Sequence, residues 1–245
     1  MRLTRVYVDA PLGVGLLVEL PEHVNGHLVR VLRLREGDPC VLFNGDGHDY
    51  DGRITSVSKR GVQAEIVSAR SIDNESPLSI SLLQGIARGE KMDLILQKAT
   101  ELGVTRFVPV HSERSEVKLE GARAIKRLAH WRGVVASACE QSGRAILPQV
   151  DEPSPMQQAL SDEGLPAARY YLSPLAEIGI DTLRGPNDGR LLIAVGPEGG
   201  WSERDLQSLH AADFVGIRLG PRILRTETAG LAAIAALQMR LGDLA

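Results

Sequence analysis

Hydrophobic and polar positions change rhythm along this chain near residue 75. Before it, short β-branched or alternating segments dominate. LTRVYV, GLLVEL, CVLFNG, DGRITSV and VQAEIV are each a short run of strand pattern, most of them separated by Gly, Pro, Asn or Asp. One stretch, PEHVNGHLVRVLRL, has helical spacing, with Val24, Leu28, Val31 and Leu32 on one face. Five short strands and one helix predict a small closed or half-closed β-barrel. The polar run RSIDNESPL, containing Pro77, then marks a boundary. The domains expected are residues 1–72 and 73–245.

After the boundary, strand and helix alternate. The spacing predicts a strand over 79–86 and a helix over 90–103 with Met92, Ile95, Ala99 and Leu102 on one face, ended by Gly103. A strand (105–111) and a long helix (122–143) follow. Next come a strand (145–150), a helix (154–164) and a strand at ARYYLSP (168–174). RLLIAVGPEGG reads as a buried strand running into a glycine loop. SERDLQSLHAA is a helix that Ser202 can cap. DFVGIRLG is the last strand and TETAGLAAIAALQMRLG the last helix. Such alternation implies an α/β domain around a largely parallel sheet.

Composition changes this picture little. The 245 residues are 43% hydrophobic and 24% charged, which suits a globular chain rather than a disordered one. No apolar run of membrane-spanning length and no signal-peptide pattern is present, so the expected compartment is the cytoplasm. Charge matters more. With 28 basic and 31 acidic side chains the net charge is −3, which argues against coating nucleic acid by bulk charge. Thirteen of the acidic residues lie after position 150, however, and the first 150 residues carry a small positive excess. Nine aromatic residues are too few for a surface that stacks a row of bases.

Three segments carry candidate chemistry. In LLIAVGPEGGWSERDL a strand meets a helix through Gly196, Gly199 and Gly200, which serve either a ligand at the strand end or the turn alone. In GIRLGPRILRTETAGLAAIAAL, Arg218, Arg222 and Arg225 crowd a connection between apolar elements. Thr226 or Thr228 can cap the helix, while Arg225 suggests an anion or a polar heterocycle nearby. In QGIARGEKMDLILQKATELGV, Arg88, Lys91 and Lys98 follow a strand end, facing either RNA or solvent with Glu90 and Glu101 in compensation. Arg114 lies in the HSERSEVK loop, and Arg2, Arg5, Arg30, Arg33, Arg35 and Arg53 supply further phosphate contacts by number rather than singly.

Several familiar chemistries are disfavoured. The chain has no G-x-x-x-x-G-K-[ST] loop, no G-x-G-x-x-G after a strand, no H-E-x-x-H, no C-x-x-C and no G-x-S-x-G. No metal is expected. Cys40 and Cys139 are too few for a disulfide scaffold, and Cys139, mid-helix, reads as a buried structural thiol.

The GPEGG loop, LGPRILRTETA, GEKMDLILQKATELGV, the S-E-R-S loop and ACEQSGR together resemble the ribosomal RNA small subunit methyltransferase E family of SPOUT methyltransferases. The resemblance covers nearly the whole chain and is weaker in the first domain, where RVYV and HLVRVLRLREGD carry it. It implies a PUA-like or OB-like barrel over 1–72 that helps hold RNA, and a SPOUT domain over 73–245 with a deep trefoil knot. It implies an S-adenosyl-L-methionine site in three loops. These are Leu172, Ser173 and Pro174, then Gly196, Pro197, Glu198, Gly199 and Gly200, then Leu219, Gly220, Arg222, Leu224 and Thr226. It further implies a homodimer that methylates N3 of a uridine in the decoding region of 16S rRNA, with the small ribosomal subunit, assembled or partly so, as partner. RNA contacts would fall to Arg2, Arg5, Arg30, Arg33, Arg88, Lys91, Lys98 and Arg114.

Uridine N3 is a poor nucleophile until its proton leaves, so a base or a cation that steadies the anion is needed. Arg225 fits the cation; Glu227 orients it or accepts the proton. A SPOUT enzyme acting on ribose 2′-OH or on another RNA, and a non-catalytic RNA-binding module, remain the alternatives.

Overall fold

The structure, a computed structural model, describes residues 4–21, 35–58, 61–117 and 119–244. The helix expected over 21–34 falls almost wholly outside the described residues, as do Arg2, Arg30 and Arg33. The chain divides into two compact units, Met1–Glu75 with Cys139–Leu147 and Ser76–Ala138 with Pro148–Ala245.

The first unit holds a five-stranded sheet: β1 (Thr4–Tyr7), β2 (Leu17–Glu19), β3 (Pro39–Phe43), β4 (His48–Val57) and β5 (Val62–Ser71), in the order β1-β3-β4-β5-β2. β1 and β3 pair in parallel, and the other pairs are antiparallel. Register shifts in β4 at Asp51/Gly52 and Ile54/Ser56 mark irregularities of the kind that bend a sheet over its core. Period-2 alternation puts Val62, Ala64 and Ile66 inward with Val6, Leu42 and Ile54, while Gln63, Glu65 and Val67 face water. Arg5 also belongs to this interior. Its guanidinium binds Asp49 at 2.7 Å, donates to the carbonyls of Cys139 and Arg144, and stacks 3.8 Å from the Phe43 ring. Cys40 and Cys139 are buried, and burial pushes their thiols up to about 11 and about 12, which rules out a nucleophilic role near neutrality.

The second unit is a three-layer α/β arrangement. Its eight-stranded sheet contains β6 (Ser79–Gly85), β7 (Val104–His111), β8 (Gln149–Val150), β10 (Ala168–Leu172), β11 (Ile178–Gly179), β12 (Arg190–Val195) and β13 (Val215–Arg218), in the order β11-β13-β10-β12-β6-β7-β8, all parallel; β9 (Ser154–Pro155) pairs with β7 alongside. Both faces are covered, so the central strands are mostly apolar, with buried Ser81 and Gln84 of β6 as exceptions. Leu191, Ile193 and Val195 of β12 point into one core. That core includes Met92 and Ile95 of α1 (Glu90–Glu101), Trp131 of α2 (Gly121–Ser142), and Ile234 and Leu237 of α5 (Thr226–Leu241). Leu192 and Ala194 point into the other, with Met156 of α3 (Met156–Leu160) and Leu209 of α4 (Glu203–Ala211).

Local details depart from the sequence expectation in places. The strand expected over 145–150 shrinks to Gln149–Val150, because Ala145 instead accepts a bond from Gly47 within the first unit. The helix expected over 154–164 shortens to Met156–Leu160, since the Ser161 and Asp162 amides close tight turns onto Gln158 and Ala159. Ser202 does cap α4, in a reciprocal box with Asp205 at 3.0 Å each way.

Candidate active site

The site follows from strand order. From β6 the chain moves outward through β7 to β8, then crosses to β10 on the other side of β6, and β12 later fills the place between them, so β6 and β12 flank a topological switch point. The carboxyl ends of β10, β12 and β13 lie near one another there. Their following loops enclose a cavity of about 590 Å³, in the range of small-molecule sites. Leu172, Ser173 and Pro174 come from the first loop. Gly196, Pro197, Glu198, Gly199 and Gly200 come from the second, and Leu219, Gly220, Arg222, Leu224, Arg225 and Thr226 from the third. The structure thus brings all three expected loops to one cavity.

Glycine is needed here for space. A Cβ on Gly196 would sit 3.1 Å from the Gly200 carbonyl carbon, and one on Gly85 only 2.7 Å from the Pro197 nitrogen. Gly200 and Gly220 take φ of 66° and 88°, which side-chain-bearing residues rarely adopt. The glycine loop is anchored by Gly200 N–H to Pro197 O (2.9 Å), and the first loop by Ser173 N–H to Ile217 O (2.9 Å).

Beneath the loops lies a residue that the sequence alone does not single out. Gln84, at the end of β6, is fully buried. Its Nε2 donates to Thr226 Oγ1 at 3.1 Å and to Gly85 O at 2.9 Å, and Thr226 Oγ1 donates to Gly196 O. The glycine loop and the start of α5 are therefore joined through two side chains. This corrects the capping expectation. Arg225 is the N-cap of α5 and no side chain caps it, because the Thr226 hydroxyl is turned toward Gly196.

Charge in the site is distributed by Lys91. Its Nζ lies 3.2 Å from Glu198 Oε1 and 3.8 Å from Glu227 Oε2. Burial would raise the Glu198 carboxyl, but its own amide, the Arg88 amide and Lys91 outweigh this and hold it below the usual range. Glu227 Oε2 is buried without a hydrogen-bond partner among the described residues. Lys91, not Arg225, is the cation beside it. Arg225 lines the cavity, is exposed, and its guanidinium makes no hydrogen bond or ion pair among the described residues.

The cations expected to hold RNA are placed differently from one another. Lys91 belongs to the cavity. Arg88 pairs with Glu116, Lys98 with Glu101 at 2.8 Å, and Arg114 donates to Gly199 O at 3.0 Å while remaining exposed. Arg5 is enclosed in the first unit, with its side chain 10% exposed. Trp201, Leu175 and Ile223, also lining the cavity, carry no motif that would have marked them.

This fold and site define an RNA methyltransferase. Residues 74–238 match the RNA methyltransferase domain family, and residues 26–67 match the RNA methyltransferase PUA domain family. The chain belongs to the ribosomal RNA small subunit methyltransferase E family. It is 33% identical to the protein of that name from Buchnera aphidicola subsp. Schizaphis graminum over 99% of this chain and 98% of the relative. It is 36% identical to the one from Bacillus subtilis over 86% and 85%. A solved Neisseria gonorrhoeae ribosomal RNA small subunit methyltransferase E, bound to S-adenosyl methionine, superposes with a TM-score of 0.90 at 43% identity, covering 100% of both chains. A Legionella pneumophila structure holding the same cofactor gives a TM-score of 0.94 at 33% identity, again over both whole chains.

Proposed function

We propose that this protein transfers a methyl group from S-adenosylmethionine to N3 of a uridine in 16S rRNA. The observation that supports this reading is the meeting, at one cavity, of three strand-end loops with Arg225 and Lys91 on the wall, and Lys91 in turn 3.8 Å from Glu227 Oε2, a buried oxygen with no hydrogen bond among the described residues.

The cavity fits the cofactor. It is large enough for a nucleoside with an amino-acid tail, and its walls are mostly apolar. Close-packed Gly196 and Gly199, with Gly200 and Gly220 at positive φ, bring backbone groups to its surface. Leu172, Ser173, the loop 196–200, Leu219, Gly220, Arg222, Leu224 and Thr226 would hold it. S-adenosylmethionine supplies there an electrophilic methyl group on a sulfonium.

The chain's own residues then do two things. First, they position the base, because an in-line displacement depends chiefly on orientation. Second, they manage the N3 proton. A buried carboxylate oxygen without a donor costs desolvation, and the N3–H of uridine is a donor of the kind Glu227 lacks. Glu227 accepts that proton. Arg225, at the positive end of α5, steadies the negative charge that spreads onto O2 and O4. Lys91 balances the Glu227 charge before the base arrives.

The substrate is a structured RNA, reached through local cations, since a net charge of −3 does not favour naked nucleic acid. The reading includes the small ribosomal subunit as partner and a homodimer. The apolar stretch of α5 from Ala229 to Leu237, with Met239 56% exposed, supports the latter.

Substituting Arg225→Ala and Glu227→Gln separately tests the assignment. Each is expected to lower kcat by about 10²-fold or more while cofactor binding by calorimetry persists. Wild-type rates in both folded variants would remove these residues from the mechanism.

A further inference from the structure

The outer face of α2 carries a charge pattern that the methyl-transfer site does not use. Arg123, Lys126, Arg127 and His130 follow i, i+3, i+4, i+7 spacing and so share one helix face. Arg123, Lys126 and His130 are exposed and Arg127 is half-buried. No acidic residue occurs between 121 and 139, and the first turn of the helix has none. Glu120 lies just ahead of the helix, but Arg123, Lys126 and Arg127 form no ion pair among the described residues.

Local physics disfavours this arrangement. Like charges one turn apart repel. Cations in the first turn face the positive end of the helix dipole. A helix of 22 residues has ample room for compensating carboxylates, yet the stripe has only Asp93, brought from α1 to His130 at 2.8 Å. The stripe itself also lacks an aromatic or aliphatic anchor of the sort protein partners grip. The exposed Ile125, two positions on from Arg123, falls about half a turn away round the helix. Arg123, Lys126 and Arg127, three cations on long flexible stems, match phosphate.

The stripe lies in the same unit as the cavity. Asp93, which meets His130, follows Lys91 by two positions and so falls about half a turn round α1 from it.

We propose that this face of α2 is a docking surface for the phosphate backbone of ribosomal RNA, formed by Arg123, Lys126, Arg127 and His130. The surface would add to the RNA contacts expected from the sequence at Arg88, Lys91, Lys98 and Arg114, and it rests on the methyltransferase reading.

The test removes charge stepwise, through Arg123→Gln, then Arg123→Gln with Lys126→Gln, then both with Arg127→Gln, in the full-length protein. Exposed Arg184 supplies a control, Arg184→Gln, outside the stripe. Two quantities are read: KM and kcat for methyl incorporation into purified small ribosomal subunits, and direct filter binding of 16S rRNA across a salt series. The triple variant is expected to weaken RNA binding by about ten- to a hundredfold near physiological salt. Its log–log salt slope should be shallower by about 2, because each phosphate contact contributes about 0.7–0.9. The loss should fall in KM for the particle rather than in cofactor affinity, and Arg184→Gln should leave the slope in place. An unchanged slope and KM in the triple variant would overturn the proposal, as would a loss equalled by Arg184→Gln. Should the wild-type protein transfer no methyl group, the methyltransferase reading fails, and filter binding still decides the docking surface.

Discussion

Gln84 Nε2 lies 3.1 Å from Thr226 Oγ1, joining the end of β6 to the start of α5 across 142 positions of sequence. Through the Thr226 hydroxyl the link passes on to the Gly196 carbonyl. Gln84→Met keeps the volume and removes the donor; Thr226→Val does the same for the hydroxyl. Each is expected to cost about 1–3 kcal/mol of stability by orphaning a buried group. Each should also lower kcat about tenfold, because the segment bearing Arg225 and Glu227 loses its tether. In a double-mutant cycle the two effects should fall short of additive. Strict additivity in single-turnover rates would show that the contact does not position the site.

Gly85 tests the cradle itself. A methyl group there would lie 2.5 Å from Pro197 Cδ and 2.7 Å from its nitrogen, so the glycine loop must shift. Gly85→Ala is expected to weaken cofactor binding at least tenfold by calorimetry and to lower Tm. Gly133, inside α2, has nothing within 4 Å of the place a methyl group would occupy. Gly133→Ala should therefore stabilise by about 0.5–1 kcal/mol, read by denaturant titration. A loss of stability there would contradict the open space.

Arg5 separates packing from RNA contact. With Asp49 only 5% exposed, removing Arg5 leaves its buried carboxylate to Arg70 alone, at 2.7 Å. Arg5→Gln is expected to destabilise the first unit by about 1–3 kcal/mol, through the lost hydrogen bonds, while leaving the salt slope of RNA binding in the folded protein as it was. A shallower slope at unchanged stability would return Arg5 to the RNA surface.

Glu198 gives a pH signature. Its carboxyl is held below the ordinary value near 4.5, so the stability it contributes is fully present above that value and is lost as pH falls through its folded-state value. Wild type should therefore lose Tm relative to Glu198→Gln below about pH 4.5, and the two curves should run parallel from about pH 6 to 8. Curves still parallel well below the ordinary carboxylate value would show that the Lys91 and Arg88 contacts contribute nothing.

What is legible in the sequence is local. Glycines at a strand end, a Ser202 cap and an arginine before an apolar helix are signals within a few residues, and each has its counterpart in the structure. The three loops could be assigned to one site only through resemblance, since their residues lie up to 54 positions apart from Leu172 to Thr226. What is hidden depends on distant partners. Gln84 looks like any polar residue ending a strand until Thr226 is folded against it. Arg5 looks like surface until Asp49 and two carbonyls close around it. Lys91 has the same helical spacing as Lys98, yet one faces Glu198 in the cavity and the other pairs with Glu101 on its own helix.

The atom that receives the methyl group can be read directly in a reconstituted reaction. Purified small ribosomal subunits from cells lacking this protein, incubated with it and with isotopically methyl-labelled S-adenosylmethionine, should yield labelled 3-methyluridine on nucleoside mass analysis of 16S rRNA. The Arg225→Ala protein should yield almost none. Label found instead on a ribose 2′-hydroxyl or on another base, with no 3-methyluridine, would contradict methylation at uridine N3.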